Sequence, residues 1–239
     1  MSATAVCVAI LDEDSWTSRT DVLVVVDAAR RRLTWVPRDL WSSRIGLRIN
    51  HAFAGGHLLP ALADLGFPCD GAICLRRGAT VAWLADIEVE VPVPKPLDFW
   101  YPLEPMSRIQ DGRKQVSFRP PRERLSGERL HQWVGARHSV SGPSSDLYRC
   151  ARQGDLLFEL LRQKADFAAL LRDSQLYRIQ GSDPLAVLAQ ADETWTMRVF
   201  DRVHDQTIEG AKVLRKSSWL RHSLGRLRAF VSRLLKGTD

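Results

Sequence analysis

The sequence predicts an α/β fold in which a mixed β-sheet is flanked by helices. Two observations carry this. Short continuous apolar runs, AVCVAIL at 5–11, DVLVVVD at 21–27 and DGAICLR at 70–76, have the length and β-branched content of buried strands. Other segments place apolar residues at helical spacing: HLLPALADLG at 57–66, SGERLHQWVGARH at 126–138 and the stretch 146–173.

In chain order, the first strand runs into the polar loop DEDSWTSRT, and the second strand follows. AARRR then turns the chain into RLTWVP at 32–37, a third strand in hairpin pairing with the second. PRDLWSSRIGLRIN reads as loop. The helix at 57–66 tolerates Pro60 in its first turn and ends at Gly66. VAWLADI at 81–87 fits helix or strand. VEVPVPKPLDFWYPLEP is proline-rich and extended, and QVSFRP at 115–120 is a further strand. Ser126 is a fair N-cap for a helix that puts Leu130, Trp133 and Val134 on one face. After the loop SVSGPSS comes a long amphipathic helix over 146–173, then a helical stretch after SDP at 182–184. The expected organisation is an α/β domain over residues 1–175 and a helical, basic extension over 176–239.

The chain has 239 residues and is 45% hydrophobic and 26% charged, as a globular protein is. Its net charge of +6 is unevenly placed. Residues 212–236 hold eight Lys and Arg and no acid, so the rest of the chain is net −2. The basic balance is a property of the tail and points that tail at an anionic surface. Leu220, Leu224, Leu227, Val231, Leu234 and Leu235 lie at helical spacing there, with Trp219 and Phe230 beside them. A helix over 217–237 of this kind can lie in a membrane interface of anionic lipid, or pack on its own domain or a partner. Nucleic acid is not an expected partner, because no aromatic platform or reading motif accompanies the charge.

Cys7, Cys69, Cys74 and Cys150 form no C-x-x-C pair and no zinc spacing with His, so reduced thiols are expected. The first 20 residues lack a basic start with a long apolar core, and no run approaches the roughly 18 apolar residues of a membrane span. The expectation is a cytoplasmic or peripheral membrane protein, with the envelope face open if an anchor has been lost.

Three constellations could do chemistry. Arg19-Thr20-Asp21 stands at the mouth of the second strand, and Pro37-Arg38-Asp39 at the end of the third. If these strands are antiparallel neighbours, both sets meet at one sheet edge. The acidic trio Asp12, Glu13 and Asp14 ends the first strand and can reach the same edge. Such a mixture suits phosphate: guanidinium groups clamp its oxygens, and Asp21 or Asp39 could hold a divalent cation. Solvated strand-end charge is the alternative. The third set is Arg137-His138 with Asp146, Arg149, Arg152 and Gln153. Asp146, Arg149 and Gln153 share one face near a helix start, which itself favours anions, although an ordinary charged helix start looks the same.

Six motifs in order resemble the LytR-CpsA-Psr family of cell-envelope phosphotransferases. RTDVLVVV resembles that family's R-S-D-T strand, and VPRDLW its I-P-R-D loop. RINHAFAGG resembles K-I-N-H-A-Y-x-x-G-G, and LADLGFPCDGAICL the helix–Gly–strand segment after it. LSGERLHQWVGARH resembles L-x-G-x-x-A-L-x-Y-x-R-x-R, and DLYRCARQGDLL resembles D-x-x-R-x-x-R-Q. The resemblance spans about residues 5–165.

It implies an α-β-α domain that moves a glycopolymer from a polyprenyl diphosphate carrier to an envelope acceptor. It also implies magnesium and an apolar pocket for the prenyl tail. By the resemblance, Arg19, Arg38, Arg137, Arg149 and Gln153 bind the diphosphate, with Arg44 or Arg48 as a further contact and Arg152 behind them. Asp21 and Asp14 hold magnesium, with Asp12 as the alternative to Asp14. Asp146 orients the arginines or acts as base, and Asp21 and Arg38 stand with it as the catalytic set. His51 is expected to hold its loop rather than to act as base. Three departures stand out: Gly135 replaces the first Arg of R-x-R, the hairpin between Asp21 and Arg38 is short, and the family's N-terminal anchor is not seen. A non-catalytic isoprenoid-phosphate binder that recruits or regulates envelope-polymer enzymes is the second expectation, and hydrolysis of the diphosphate a third. A transcription-attenuating role finds no DNA-reading element in these residues.

Overall fold

The computed structural model describes residues 4–103, 109–141, 146–192, 194–201, 203–208 and 211–216. In chain order the first half comprises β1 (Ala5–Leu11), β2 (Thr20–Asp27), β3 (Arg32–Trp35), β4 (Trp41–Ser42), β5 (Leu47–Arg48), α1 (Leu58–Asp64), β6 (Gly71–Leu75), α2 (Arg77–Ala85), β7 (Glu88–Pro92) and β8 (Leu97–Pro102). The second half comprises β9 (Arg113–Phe118), β10 (Arg122–Ser126), α3 (Gly127–Gly135), β11 (His138–Ser139), α4 (Asp146–Arg162), β12 (Tyr177–Gly181), α5 (Leu185–Leu188), β13 (Thr196–Val199), β14 (Val203–Ile208) and β15 (Ala211–Lys216).

A six-stranded mixed sheet in the order β12-β6-β1-β2-β3-β13 forms the centre. The hydrophobic strands β1, β2 and β6 sit inside it, and β1 pairs antiparallel with β2 and parallel with β6. Side chains alternate between its faces. On one face Cys7, Ala9, Leu11, Leu23 and Val25 pack against Leu58, Ala61 and Leu62 of α1. On the other, Val6, Val22, Val24, Val26, Leu33 and Trp35 face Cys150 of α4 and Val187 of α5. A second core joins β7, β8, β9 and β10 to α3 and α4 through Val89, Val91, Phe118, Leu130, Trp133 and Leu156. The Trp133 ring meets Phe118 edge-on at 4.9 Å.

The boundary expected at residue 175 does not separate the sheet from an extension. Strands β12 and β13, both beyond it, are the two edges of the central sheet. Antiparallel β14 and β15 follow, where a helical extension was expected, and Leu214 donates its backbone N–H to the Asp39 carbonyl at 3.0 Å. Edge strands are half solvated and carry polar residues, here Arg178, Gln180 and Arg198, so they lack the apolar runs that mark β1 and β2. The helix expected over 146–173 ends at Arg162, and Phe167–Leu171 is a 3-10 turn. The segment left between helix and strand is α2. The basic tail at 217–239 lies outside the described residues. Among the described residues no helix is long and apolar enough to cross a membrane.

Candidate functional site

The ends of four strands bring the charged residues together. Trp35 pairs with Val24, and Val36 donates its N–H to the Leu23 carbonyl at 2.8 Å, so the hairpin carries Arg38 back to the start of β2 beside Asp21. Asp12 follows β1 and donates its N–H to the Arg19 carbonyl at 2.9 Å. Strand β6 runs parallel to β1, so Arg76 and Arg77 reach this edge as well.

Asp21 owes its direction to a β-bulge. Ile10 pairs with Val22 and Leu11 with Thr20, so Asp21 is the extra residue between them. A bulge of this kind re-aims a side chain as it bends and twists the strand locally. The Asp21 carboxylate turns to the face covered by α4, where Arg149 Nη1 donates to both its oxygens at 3.1 Å. Arg38 Nη1 donates to Oδ1, and Arg137 Nη2 reaches the same oxygen at 3.5 Å. Burial alone would raise the Asp21 pKa, but Arg149, Arg38 and Arg137 outweigh it and hold the carboxyl below its usual range. Arg149 is 1% exposed, and Arg137 is 44% exposed at the rim.

The junction of α3 and α4 fixes these arginines. Arg152 does not line the site. Its guanidinium donates to the carbonyls of Trp133 and Ala136 and lies 4.4 Å over the Phe99 ring. Burial and neighbouring Arg149 bring its pKa down to about 10. Trp133 Nε1 donates back to the Arg152 carbonyl at 3.0 Å. Gln153 donates to the Val134 carbonyl at 3.0 Å, while its Oε1 is buried without a hydrogen-bond partner among the described residues. Arg38 Nε is buried and unpartnered in the same way. The open Arg38 donor fits an anion, whereas the open Gln153 oxygen can only accept and fits a hydroxyl or a cation.

Behind the charges lies an apolar cavity of about 880 Å³ between the sheet and α4. Its floor is one face of the sheet, where Val8 pairs with both Val24 and Ile73, Ile10 with Val22 and Leu75, and Val26 with Leu33. Leu156, Leu157, Leu160 and Leu161 of α4 form the roof. Asp12, Arg19, Asp21, Arg38, Arg137, Arg149 and Gln153 line the same cavity. One ligand with an anionic head and a long apolar tail has a place for both parts.

Other expected residues stand elsewhere. Asp14 does not join Asp21: its Oδ1 accepts the Gly78 backbone N–H at 2.5 Å, at the first turn of α2. Arg44 and Arg48 lie on the β4–β5 hairpin and do not line the cavity, and Arg48 pairs with Asp39 at 3.6 Å. His51, in the turn Ile49–His51, is also off the cavity wall. Burial, with Arg19 and Arg48, holds its imidazole below the usual range against the pull of Asp12 and Asp39. Asp146 opens α4, and its side chain lies outside the described set. Sequence reasoning missed Arg77 and Tyr101, which also line the cavity. The signal for Arg77 was a basic pair directly after a buried strand.

For a divalent cation the fit is partial. Asp12 lines the cavity, binds Arg19 through Oδ2 at 3.4 Å and keeps Oδ1 buried without a partner among the described residues. Asp21 lies one residue past the Thr20 that pairs with Leu11, on the same wall. A hard cation held by one or two carboxylates and by phosphate oxygens suits Asp12 and Asp21; Asp14, spent on α2, does not. Among the described residues no three acidic, His or Cys side chains gather into a closed metal cage.

No family model and no curated protein matches this chain. Solved structures do. B. subtilis TagT shares 16% identity over 95% of this chain and 89% of its own, with a TM-score of 0.60. A structure of TagT bound to LI-WTA gives 16% identity, the same 0.60 and 88% of its own length. B. subtilis TagU shares 13% identity, with 98% of this chain and 97% of its own covered, at 0.56. Protein gbs0355 of Streptococcus agalactiae shares 15% identity over 89% of this chain and 82% of its own, at 0.61. The chain therefore has the LytR-CpsA-Psr fold that its motifs resemble.

Proposed function

We propose that this chain binds a polyprenyl diphosphate-linked glycan and transfers the glycan phosphate to a hydroxyl of a cell-envelope acceptor. The observation that carries this reading is the joining of an arginine-lined mouth to an apolar cavity of about 880 Å³. The prenyl tail would fill the cavity, and Arg38, Arg137, Arg149 and Gln153 would take the phosphate oxygens. TagT, whose fold this chain shares, is known bound to LI-WTA, which supports a glycopolymer as the class of ligand.

In the transfer, an acceptor hydroxyl oxygen bonds to the phosphorus that bears the glycan. The bond from that phosphorus to the bridging oxygen breaks, and prenyl monophosphate leaves with the electron pair. Fixed guanidinium groups stabilise the charge gathering on the phosphate oxygens and the leaving group. Asp12 and Asp21 would hold magnesium, which when bound neutralises phosphate charge. A carboxylate held below its usual pKa is a poor proton acceptor, so Asp21 orients the arginines and the base falls to another group, with Asp146 first in line.

One observation favours the non-catalytic alternative: Gly135 puts no side chain at the mouth, and a Cβ there would stand 3.4 Å from the Tyr101 hydroxyl. Incubation of the protein with a prenyl diphosphate-linked glycan, magnesium and an acceptor glycan separates the readings. Transfer with release of prenyl monophosphate supports the proposal. Binding without turnover supports the recruiting protein, and release of prenyl monophosphate without glycan transfer means hydrolysis.

A further inference from the structure

The cations at the cavity mouth come from different walls. Arg38 follows β3, Arg137 follows α3, and Arg149 stands on α4. Gly135, two residues before Arg137, lines the cavity and contributes no side chain. The β6–α2 corner presents two adjacent arginines with different surroundings. Arg76 donates to the Asp14 carbonyl and lies 5.5 Å over the Trp16 ring, outside the cavity lining. Arg77 turns inward and lines the cavity together with Asp12, Tyr101 and Gly135.

One contact and the shared cavity wall place Arg77 at the mouth. Its Nη1 reaches the Asp12 carbonyl at 3.5 Å, next to the Asp12–Arg19 pair. It lines the cavity with Tyr101, whose hydroxyl stands 3.4 Å from where a Cβ at position 135 would be. Arg77 and the gap at Gly135 therefore open into the same cavity. Guanidinium groups that converge on one opening from several walls bind an anion with several oxygens better than a single phosphate oxygen.

We propose that Arg77 is a diphosphate-binding residue of this site, supplying from the start of α2 a cation where α3 has Gly135. The inference rests on the diphosphate reading above and adds a residue that none of the six motifs contains.

The test is calorimetric binding of three probes to wild type, Arg38→Ala, Arg77→Gln and Arg77→Glu: geranylgeranyl diphosphate, geranylgeraniol and inorganic pyrophosphate. The proposal expects Arg77→Gln to weaken geranylgeranyl diphosphate about tenfold and Arg77→Glu more, with geranylgeraniol unchanged in both. Unchanged binding of the alcohol shows that the cavity is intact. If pyrophosphate weakens in parallel, Arg77 reads free and lipid-borne diphosphate alike; if only the lipid form weakens, it reads the lipid-borne group, and either result supports the role. Equal loss of alcohol and diphosphate would make Arg77 a structural residue and overturn the inference. Loss of diphosphate binding in Arg38→Ala but not in Arg77→Gln would overturn it while leaving the site reading intact. No diphosphate binding by wild type would remove both.

Discussion

A single nitrogen of Arg149, Nη1, lies 3.1 Å from both carboxylate oxygens of Asp21. The Arg149 side chain is 1% exposed, whereas Asp21 keeps 25% of its own surface. The guanidinium is thus the costly partner to bury, and the carboxylate is what makes that burial tolerable. The same pair also aims the cation at the cavity mouth.

Replacing Asp21 should therefore destabilise the fold, although it removes a charge from a cluster rich in arginine. Asp21→Ala leaves Arg149 buried without its carboxylate, a loss of about 2–4 kcal/mol given the partial exposure of Asp21. Urea denaturation measures it. An unchanged midpoint would show that the arginines are held by the α3–α4 junction alone.

The pH dependence has a definite sign. A carboxyl whose folded pKa lies below its unfolded value stabilises the fold fully above the unfolded value of about 3.9, and loses that stabilisation as pH falls through the folded pKa. Wild type should lose stability more steeply below about pH 4 than Asp21→Asn. Denaturation midpoints at several acid pH values give the comparison, and parallel curves would remove Asp21 as the source.

Filling the cavity should separate tail from head. Val8 lies on its floor between Val24 and Ile73. Val8→Phe should weaken geranylgeranyl diphosphate about tenfold and leave pyrophosphate unaffected, since only apolar volume is removed. Titration calorimetry with both ligands reads the split, and equal affinities for wild type and variant would place the tail elsewhere.

Much of the site was legible because strand ends are. Apolar runs located β1, β2 and β6, and antiparallel pairing of the next strand put Arg38 beside Asp21. The bulge was not legible: a one-residue register slip between Ile10 and Leu11 leaves no trace in periodicity, yet it turns Asp21 to the cavity. The family resemblance made Asp14 a magnesium ligand, but the loop returns it to the start of α2. Arg77 went unnoticed because its meaning depends on β6 running parallel to β1, which sequence spacing does not state. The polar edge strands β12 and β13 hid the true extent of the sheet.

That extent has a direct consequence. A chain ending at residue 175 loses both edge strands of the central sheet, and with β12 it loses a register of five residue pairs against β6. It should not show a cooperative thermal transition, while a chain ending at residue 216 should. Circular dichroism melts of the two decide this, and a sharp transition in the shorter chain would restore a domain boundary at 175.

The most direct test of the whole account is calorimetric binding of geranylgeranyl diphosphate to wild type and Arg38→Ala, with geranylgeraniol as the uncharged control. The account predicts that wild type binds the diphosphate more tightly than the alcohol and that Arg38→Ala abolishes the difference. Equal binding of both ligands by wild type, or full diphosphate affinity in Arg38→Ala, would contradict the claim that the arginines around Asp21 form a diphosphate site.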